Sequence, residues 1–375
     1  MPSTMNIKMV DLHKQYLRMK PEIDKAIEEV LTSTAFIQGP QVSEFAKALA
    51  KYSGAGHVIP CANGTDALQI AMMALGMKPG DEVILPVHTY VATAEVIALL
   101  GLIPVFVDVD EASFNLDITQ IEKVITKKTK AIVPVHLYGQ CAEMETILHI
   151  ASANGLHVIE DAAQALGATY QFSDGVRKSA GTMGIIGTTS FFPSKNLGCF
   201  GDGGAIFTND DALADKLRMI ANHGQRIKYH HDMVGVNSRL DTLQAAVLNV
   251  KLKYLAGYTA KRNEVADYYD RCITSKILVT PARSRKSTHV FHQYTVKVQE
   301  GNRDDFQKYL AANNIPSMIY YPVPLHLQNA YRRVGYTEES FPVTARLSKS
   351  VISLPIHTEM DPEQLEFICN TINSF

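Results

Sequence analysis

The sequence predicts an α/β chain in which a mostly parallel, mixed sheet is sandwiched by helices and a smaller α+β domain follows. Three observations lead there. From residue 57 short apolar runs alternate with helix-like segments, as expected for parallel strands joined by crossover helices. A glycine-rich stretch, Gly181 to Gly204, then brings two further strand-like runs. Beyond it a long segment with few breakers leads into strands and helices that no longer alternate. A length of 375 residues suits two units, for which we expect residues 1–250 (large, with the N-terminal helices) and 251–375 (small).

Gln15 to Thr32 repeats Leu17, Ile23, Ala26, Ile27, Val30 and Leu31 at helical spacing, and Glu44 to Lys51 suits a second, shorter helix. The alternation follows: HVIPCA with the helix Thr65 to Leu75, EVILP with Ala92 to Leu100, PVFVDV with Ile118 to Ile125, AIVPVHL with Glu143 to Asn154, and HVIEDA. TTSFF and GAIFT are strands of the glycine-rich stretch, and a helix lies near Asp211 to Ala221. Asp241 to Asp270 reads as one long helix joining the two units. YTVKV, a helix near Arg303 to Ala312, a strand at SMIYY and a last helix from Pro362 make the small unit.

Composition removes several classes of function. Hydrophobic residues at 46% and charged residues at 20% exclude a disordered chain. Basic residues number 36 and acidic residues 38, a net charge of -2, so nothing drives the whole chain toward nucleic acid or an anionic membrane. The longest apolar run, Val96 to Val107, is broken by Gly101 and Pro104 and is too short to span a bilayer. Met1 to Gln15 has no apolar leader, and a cytoplasmic protein is expected. Five scattered cysteines without a C-x-x-C pair suit reduced core thiols. His230 and His231 have no companions at zinc spacing, so no metal site is expected.

Three motifs carry chemistry. Ala62-Asn63-Gly64-Thr65-Asp66-Ala67 joins a strand to a helix, where tight backbone and free N–H groups make an anion site or an ordinary cap. Glu160-Asp161-Ala162-Ala163-Gln164 follows the strand HVI, which places Asp161 at a strand's carboxyl end, in the ligand crevice of an open sheet or as a helix cap. Ser190-Phe191-Phe192-Pro193-Ser194-Lys195-Asn196-Leu197-Gly198 holds a lysine in a proline- and glycine-fixed loop among aromatics, where desolvation would make its amine nucleophilic. Gly201-Asp202-Gly203-Gly204 lacks the G-x-G-x-x-G spacing and leads into a strand, against a dinucleotide loop. Phosphate-type turn, strand-end aspartate and loop lysine in this order are what pyridoxal phosphate needs for its phosphate, its pyridine nitrogen and its aldehyde.

With these motifs in place, the chain resembles the DegT-type sugar-nucleotide aminotransferases, fold-type I pyridoxal phosphate enzymes, from Ile7 to the C-terminus. The blocks that carry the likeness include CANGTDALQIAMMALG, HTYVATAEVIALLG, VIEDAAQALGA, SFFPSKNLGCFGDGGAIFTND, GVNSRLDTLQAA and YYPVPLH. The resemblance implies pyridoxal 5′-phosphate as cofactor, Lys195 as the Schiff-base lysine, and Asp161 as partner of the pyridine nitrogen. It further implies Gln164 near the phenolic oxygen, Tyr90 stacked on the ring, and Gly64, Thr65 and Ser190 on the phosphate. Asn237 and Arg239 would enter from the other subunit of a homodimer with shared sites. His230, Tyr320, Tyr321 and His326 are further candidates for substrate contact.

Family branches that resemble a sugar dehydratase carry histidine in place of the lysine; Lys195 favours amino transfer. The run GVNSRLDTLQAA looks most like enzymes that aminate C3 of a UDP-2-acetamido-3-keto-hexuronic acid, with L-glutamate as donor, for bacterial surface polysaccharide. Where that pattern has a histidine, this chain has Tyr320 before Tyr321-Pro322. A 4-aminotransferase, a dehydratase on the same cofactor and a silent cofactor-binding regulator are the alternatives.

Overall fold

The computed structural model describes residues 6–299, 303–332 and 336–375, so the start of the Met1 to Gln15 segment lies outside it. The apolar runs form one seven-stranded sheet: β1 (His57–Cys61), β2 (Glu82–Pro86), β3 (Ile103–Val107), β4 (Thr129–Ile132), β5 (His157–Asp161), β6 (Ile186–Ser190) and β7 (Gly204–Thr208). Their spatial order is β1-β7-β6-β5-β4-β2-β3. All run parallel except β7, which is antiparallel to both of its neighbours.

The strands are apolar along their whole length because helices cover both faces. Val83 and Leu85 of β2 join one core with α3 (Gly64–Ala74), α4 (Ala92–Leu99) and α7 (Asp211–Ala221). Ile84, one residue out of step, joins the opposite core with α5 (Ile118–Val124) and α6 (Met144–Ala153), as the two-residue period of a strand requires. Ahead of the sheet, α1 (Leu12–Ser33) and α2 (Pro40–Ser53) pack against α8 (Thr242–Leu252).

The single long helix expected from Asp241 to Asp270 is two helices, α8 and α9 (Leu255–Cys272). Between them the N–H groups of Lys253 and Tyr254 bond three residues back, to Val250 and Lys251, which tightens the turn and redirects the chain. The small C-terminal part has an antiparallel sheet of β8 (Leu278–Val279), β9 (Tyr294–Val298) and β10 (Val351–Leu354) with α10 (Arg303–Ala312), α11 (Pro342–Ser350) and α12 (Pro362–Asn373).

SMIYY is not a strand of that sheet: Met318 makes one isolated bridge to Ser353. Flanking Pro316 and Pro322 supply no N–H, and the Tyr320 carbonyl accepts instead from the Tyr138 hydroxyl of the large part. The segment thus delivers two tyrosines to the end of the main sheet. All five cysteines are free, and four are buried. Among the described residues no helix is long and apolar enough to cross a membrane.

Candidate active site

The carboxyl ends of β1, β2, β4, β5 and β6 open on one side of the sheet, together with the start of β7. At β1, Asn63 caps α3 by accepting from the Asp66 N–H at 2.8 Å, leaving the first N–H groups of the helix, at Gly64 and Thr65, without intrahelical partners. A side chain on residue 64 would stand 2.8 Å from Ser190 Cβ, so glycine is what lets the phosphate turn approach β6. Gly204 is tighter still: its Cβ would lie 2.4 Å from the Asn63 carbonyl carbon. These absences leave a cradle for an anion between α3 and Ser190.

At β5, Asp161 is 7% exposed. Its Oδ2 accepts from Thr93 Oγ1 at 2.8 Å and its Oδ1 from the Ala163 N–H at 3.1 Å, which fixes the carboxylate. Gln164 accepts at Oε1 from the Tyr138 N–H, 2.8 Å, and donates from Nε2 to the Tyr321 hydroxyl, 3.2 Å. Its acceptor is therefore occupied, and the second N–H of the amide remains for an oxygen in the crevice. Tyr90, 56% exposed, stands 6.1 Å from the Tyr321 ring at the mouth. The buried Thr89 Oγ1 and His88 Nδ1 beside it have no hydrogen-bond partner.

Lys195 is held on the loop after β6, its N–H bonded to the Phe192 carbonyl at 2.8 Å. Burial lowers its ammonium to about 8, against the opposing pull of the Asp161 carboxylate. An amine poised near neutrality can be a nucleophile and can carry a proton. His292, 6% exposed with Nδ1 unpartnered, is held neutral by burial and by the nearby Lys195 and Arg262 cations.

The chain thus brings Gly64, Thr65, Asp161, Gln164, Ser190 and Lys195 to one end of the sheet, with Tyr90, Tyr320 and Tyr321 at its mouth. It does not bring the other candidates there. Arg239 lines a separate cleft of about 740 Å³ with Lys47, His57 and Arg218, and Asn237 is exposed. Between them Ser238 is buried and accepts from the Ala62 N–H at 3.0 Å, bracing the phosphate turn from behind. His230 is exposed on a short hairpin. His326 is fully buried, 4.8 Å from the Phe341 ring and 3.1 Å from the Thr337 carbonyl, facing the core.

Sequence reading missed the supports. Thr93 lies in the first turn of α4, buried against Asp161, and its hydroxyl carries no signal in the sequence that would single it out. Tyr138 and His292 reach the site through the fold alone, with no local signal, while the buried pair of Glu160 and His136 (2.9 Å) lies on the other face of β5 and ties it to the backbone of Gly181, Met183 and Gly184.

Phosphate cradle, strand-end carboxylate, directed amide and desolvated lysine fit pyridoxal phosphate, and together they define a fold-type I enzyme of that cofactor. The comparisons narrow the class. The chain belongs to the DegT/DnrJ/EryC1/StrS aminotransferase family, whose sequence profile matches residues 17–373. It is 48% identical over 368 residues to the UDP-2-acetamido-2-deoxy-3-oxo-D-glucuronate aminotransferase of Pseudomonas aeruginosa, covering 98% of this chain and 100% of that one. It is 47% identical over 374 residues to a pleiotropic regulatory protein of Geobacillus stearothermophilus, 99% of both chains being covered. The crystal structure of NtdA from Bacillus subtilis with bound cofactor PMP matches with a TM-score of 0.87 and 32% identity over 95% of this chain and 81% of that one. The protein is a pyridoxal-phosphate-dependent aminotransferase.

Proposed function

We propose that the chain transfers an amino group from L-glutamate to the C3 keto group of UDP-2-acetamido-2-deoxy-3-keto-glucuronic acid, in the cytoplasm, for surface polysaccharide synthesis. The observation that carries this is the full-length 48% identity to the Pseudomonas aeruginosa enzyme named for that substrate. Bound pyridoxal phosphate supplies the electron sink for the carbon that gains or loses the amine. The residues do the rest. Asp161, its carboxyl group fixed by Thr93 and Ala163, would be the acid that pairs with the ring nitrogen and favours its protonated form. Gln164 offers its free N–H to the phenolic oxygen, Gly64, Thr65 and Ser190 hold the phosphate, and Tyr90 covers the ring. With the cofactor bound, Lys195 Nζ would be the group that carries a proton to and from the substrate carbon.

The working unit is a homodimer with shared sites, in which Asn237 and Arg239 of each copy complete the crevice of the other. Two observations support it: within one chain Arg239 lines a cleft that does not include Lys195 and Asn237 is exposed, and Phe36, Ile37, Phe192, Ile227, Tyr229 and Val234 leave apolar surface uncovered. The retained Lys195 disfavours a dehydratase. The regulatory name of the Geobacillus relative favours a silent binder, but such a protein has no use for a desolvated lysine.

The test is a panel of UDP-, dTDP- and GDP-linked 3- and 4-keto sugars, with and without a C6 carboxylate, run with glutamate and the product amine located by NMR. Amination at C3 of the UDP-uronate alone or fastest supports the reading. A 4-amino product, or a preference for a neutral dTDP sugar, overturns the substrate.

A further inference from the structure

Lys251 is an anomaly of the core. It lies on α8, is 2% exposed, and among the described residues has no carboxylate partner. Its Nζ donates to the Gly198 carbonyl at 2.5 Å and stands 5.7 Å from the Phe200 ring centroid. Burial lowers its ammonium to about 8, the nearby Cys199 thiol opposing and Arg262 adding to the shift. A lone buried ammonium destabilises a fold, and methionine would fill the same slot without that cost.

What the ammonium grips is the loop of the reactive lysine. Gly198 closes a turn so tight that a Cβ there would lie 2.3 Å from the Pro193 carbonyl oxygen. Two residues on, the Phe200 N–H donates to Gln244 Oε1 at 2.8 Å, while Gln244 Nε2 donates to the Phe200 carbonyl at 3.3 Å. Gln244, Leu248 and Lys251 fall at i, i+4 and i+7 on α8, one side of the helix, and Leu248 packs in a cluster with Phe191, Leu197 and Cys199. From the opposite side Asn196 Nδ2 donates to the Val290 carbonyl at 2.9 Å. Lys195 therefore sits on a loop held at its next residue by one element and three residues on by another.

We propose that Lys251 is a positioning residue for Lys195, holding the Gly198 carbonyl so that the loop presents the amine at a fixed height above the crevice. This rests on the reading of Lys195 as the cofactor lysine.

The test is Lys251→Met, followed in the apo-protein by melting temperature and by amide exchange of the peptide from Ser194 to Gly203, and in the holoenzyme by kcat and KM. Melting should stay level or rise while loop exchange quickens and kcat falls, each about tenfold, with KM for glutamate within twofold. Lys251→Gln keeps an N–H donor and should exchange more slowly than Lys251→Met. Unchanged loop exchange or kcat in Lys251→Met overturns the proposal. So does a fall in melting temperature, or failure to fold, since the ammonium would then be a structural support. A Gln variant no slower than Met removes the hydrogen bond as the cause. Failure of the underlying reading looks different: borohydride would then leave no cofactor on Lys195 in the wild-type protein itself.

Discussion

A catalytic amine kept desolvated is a local instability, and its size can be read from titration. Lys195 ionises near 8 in the fold and near 10.5 in an unfolded chain. Between those values the unfolded chain holds a proton that the folded one has lost, so stability from this group rises with pH and is lowest below 8. Lys195→Met should therefore stabilise the apo-protein by about 3 kcal/mol at pH 7, the gain closing by about pH 10.5. Denaturant melts of both proteins across that range check it; a gap independent of pH would mean that the amine is not desolvated. At Asp161 the expectation is functional: Asp161→Ala should still bind cofactor through the phosphate turn yet lose at least about a hundredfold in kcat. Lys195 and Asp161 were legible because each stands on a local motif and in a fixed order along the chain. Gln164 was legible in part. Its neighbour is written in the sequence, but the Tyr138 N–H that turns its amide comes from a loop 26 residues earlier, in a left-handed conformation (φ 59°) that no motif announces.

At the scale of elements, the alternation of strands and helices was readable because period-two and period-3.6 patterns are local. The two departures arose where tertiary contact overrides pattern. The break between α8 and α9 has no proline or glycine to mark it, and SMIYY has strand composition but spends its backbone on Tyr138. The junction of β1, α3 and β7 gives a sharper forecast. Because a Cβ on residue 204 would meet the main chain of Asn63, which cannot rotate away, Gly204→Ala should cost about 1–3 kcal/mol and widen the phosphate cradle. Cofactor affinity should fall with it, measured by equilibrium dialysis; a variant with native melting and native affinity would show that β1 and β7 can separate freely.

For the whole molecule, Arg239 lines a cleft apart from Lys195 and Asn237 is exposed, and a site made by two copies, as proposed above, would leave no signature in the spacing of either. If each crevice takes Lys195 from one copy and Arg239 from the other, a mixed dimer of Lys195→Ala with Arg239→Ala has one doubly damaged site and one intact site. Co-expressed at equal levels, such variants should recover roughly a quarter of wild-type activity, since half the dimers are mixed and half their sites are whole. Purified mixed dimers no more active than either parent would place both residues in the same site. The order of the sheet has a consequence of another kind. Among the described residues β1 hydrogen-bonds to no strand but β7, and the partners His57 and Thr208 are about 150 residues apart in sequence. During synthesis β1 emerges long before β7 exists, while β2 to β6 can already assemble from nearer segments. The final closure of this sheet is thus a long-range event, of the sort that slows folding and leaves an apolar edge open to the wrong partner. A nascent chain arrested before Gly204 should accordingly leave His57 to Cys61 open to protease, and one extended past Thr208 should close it.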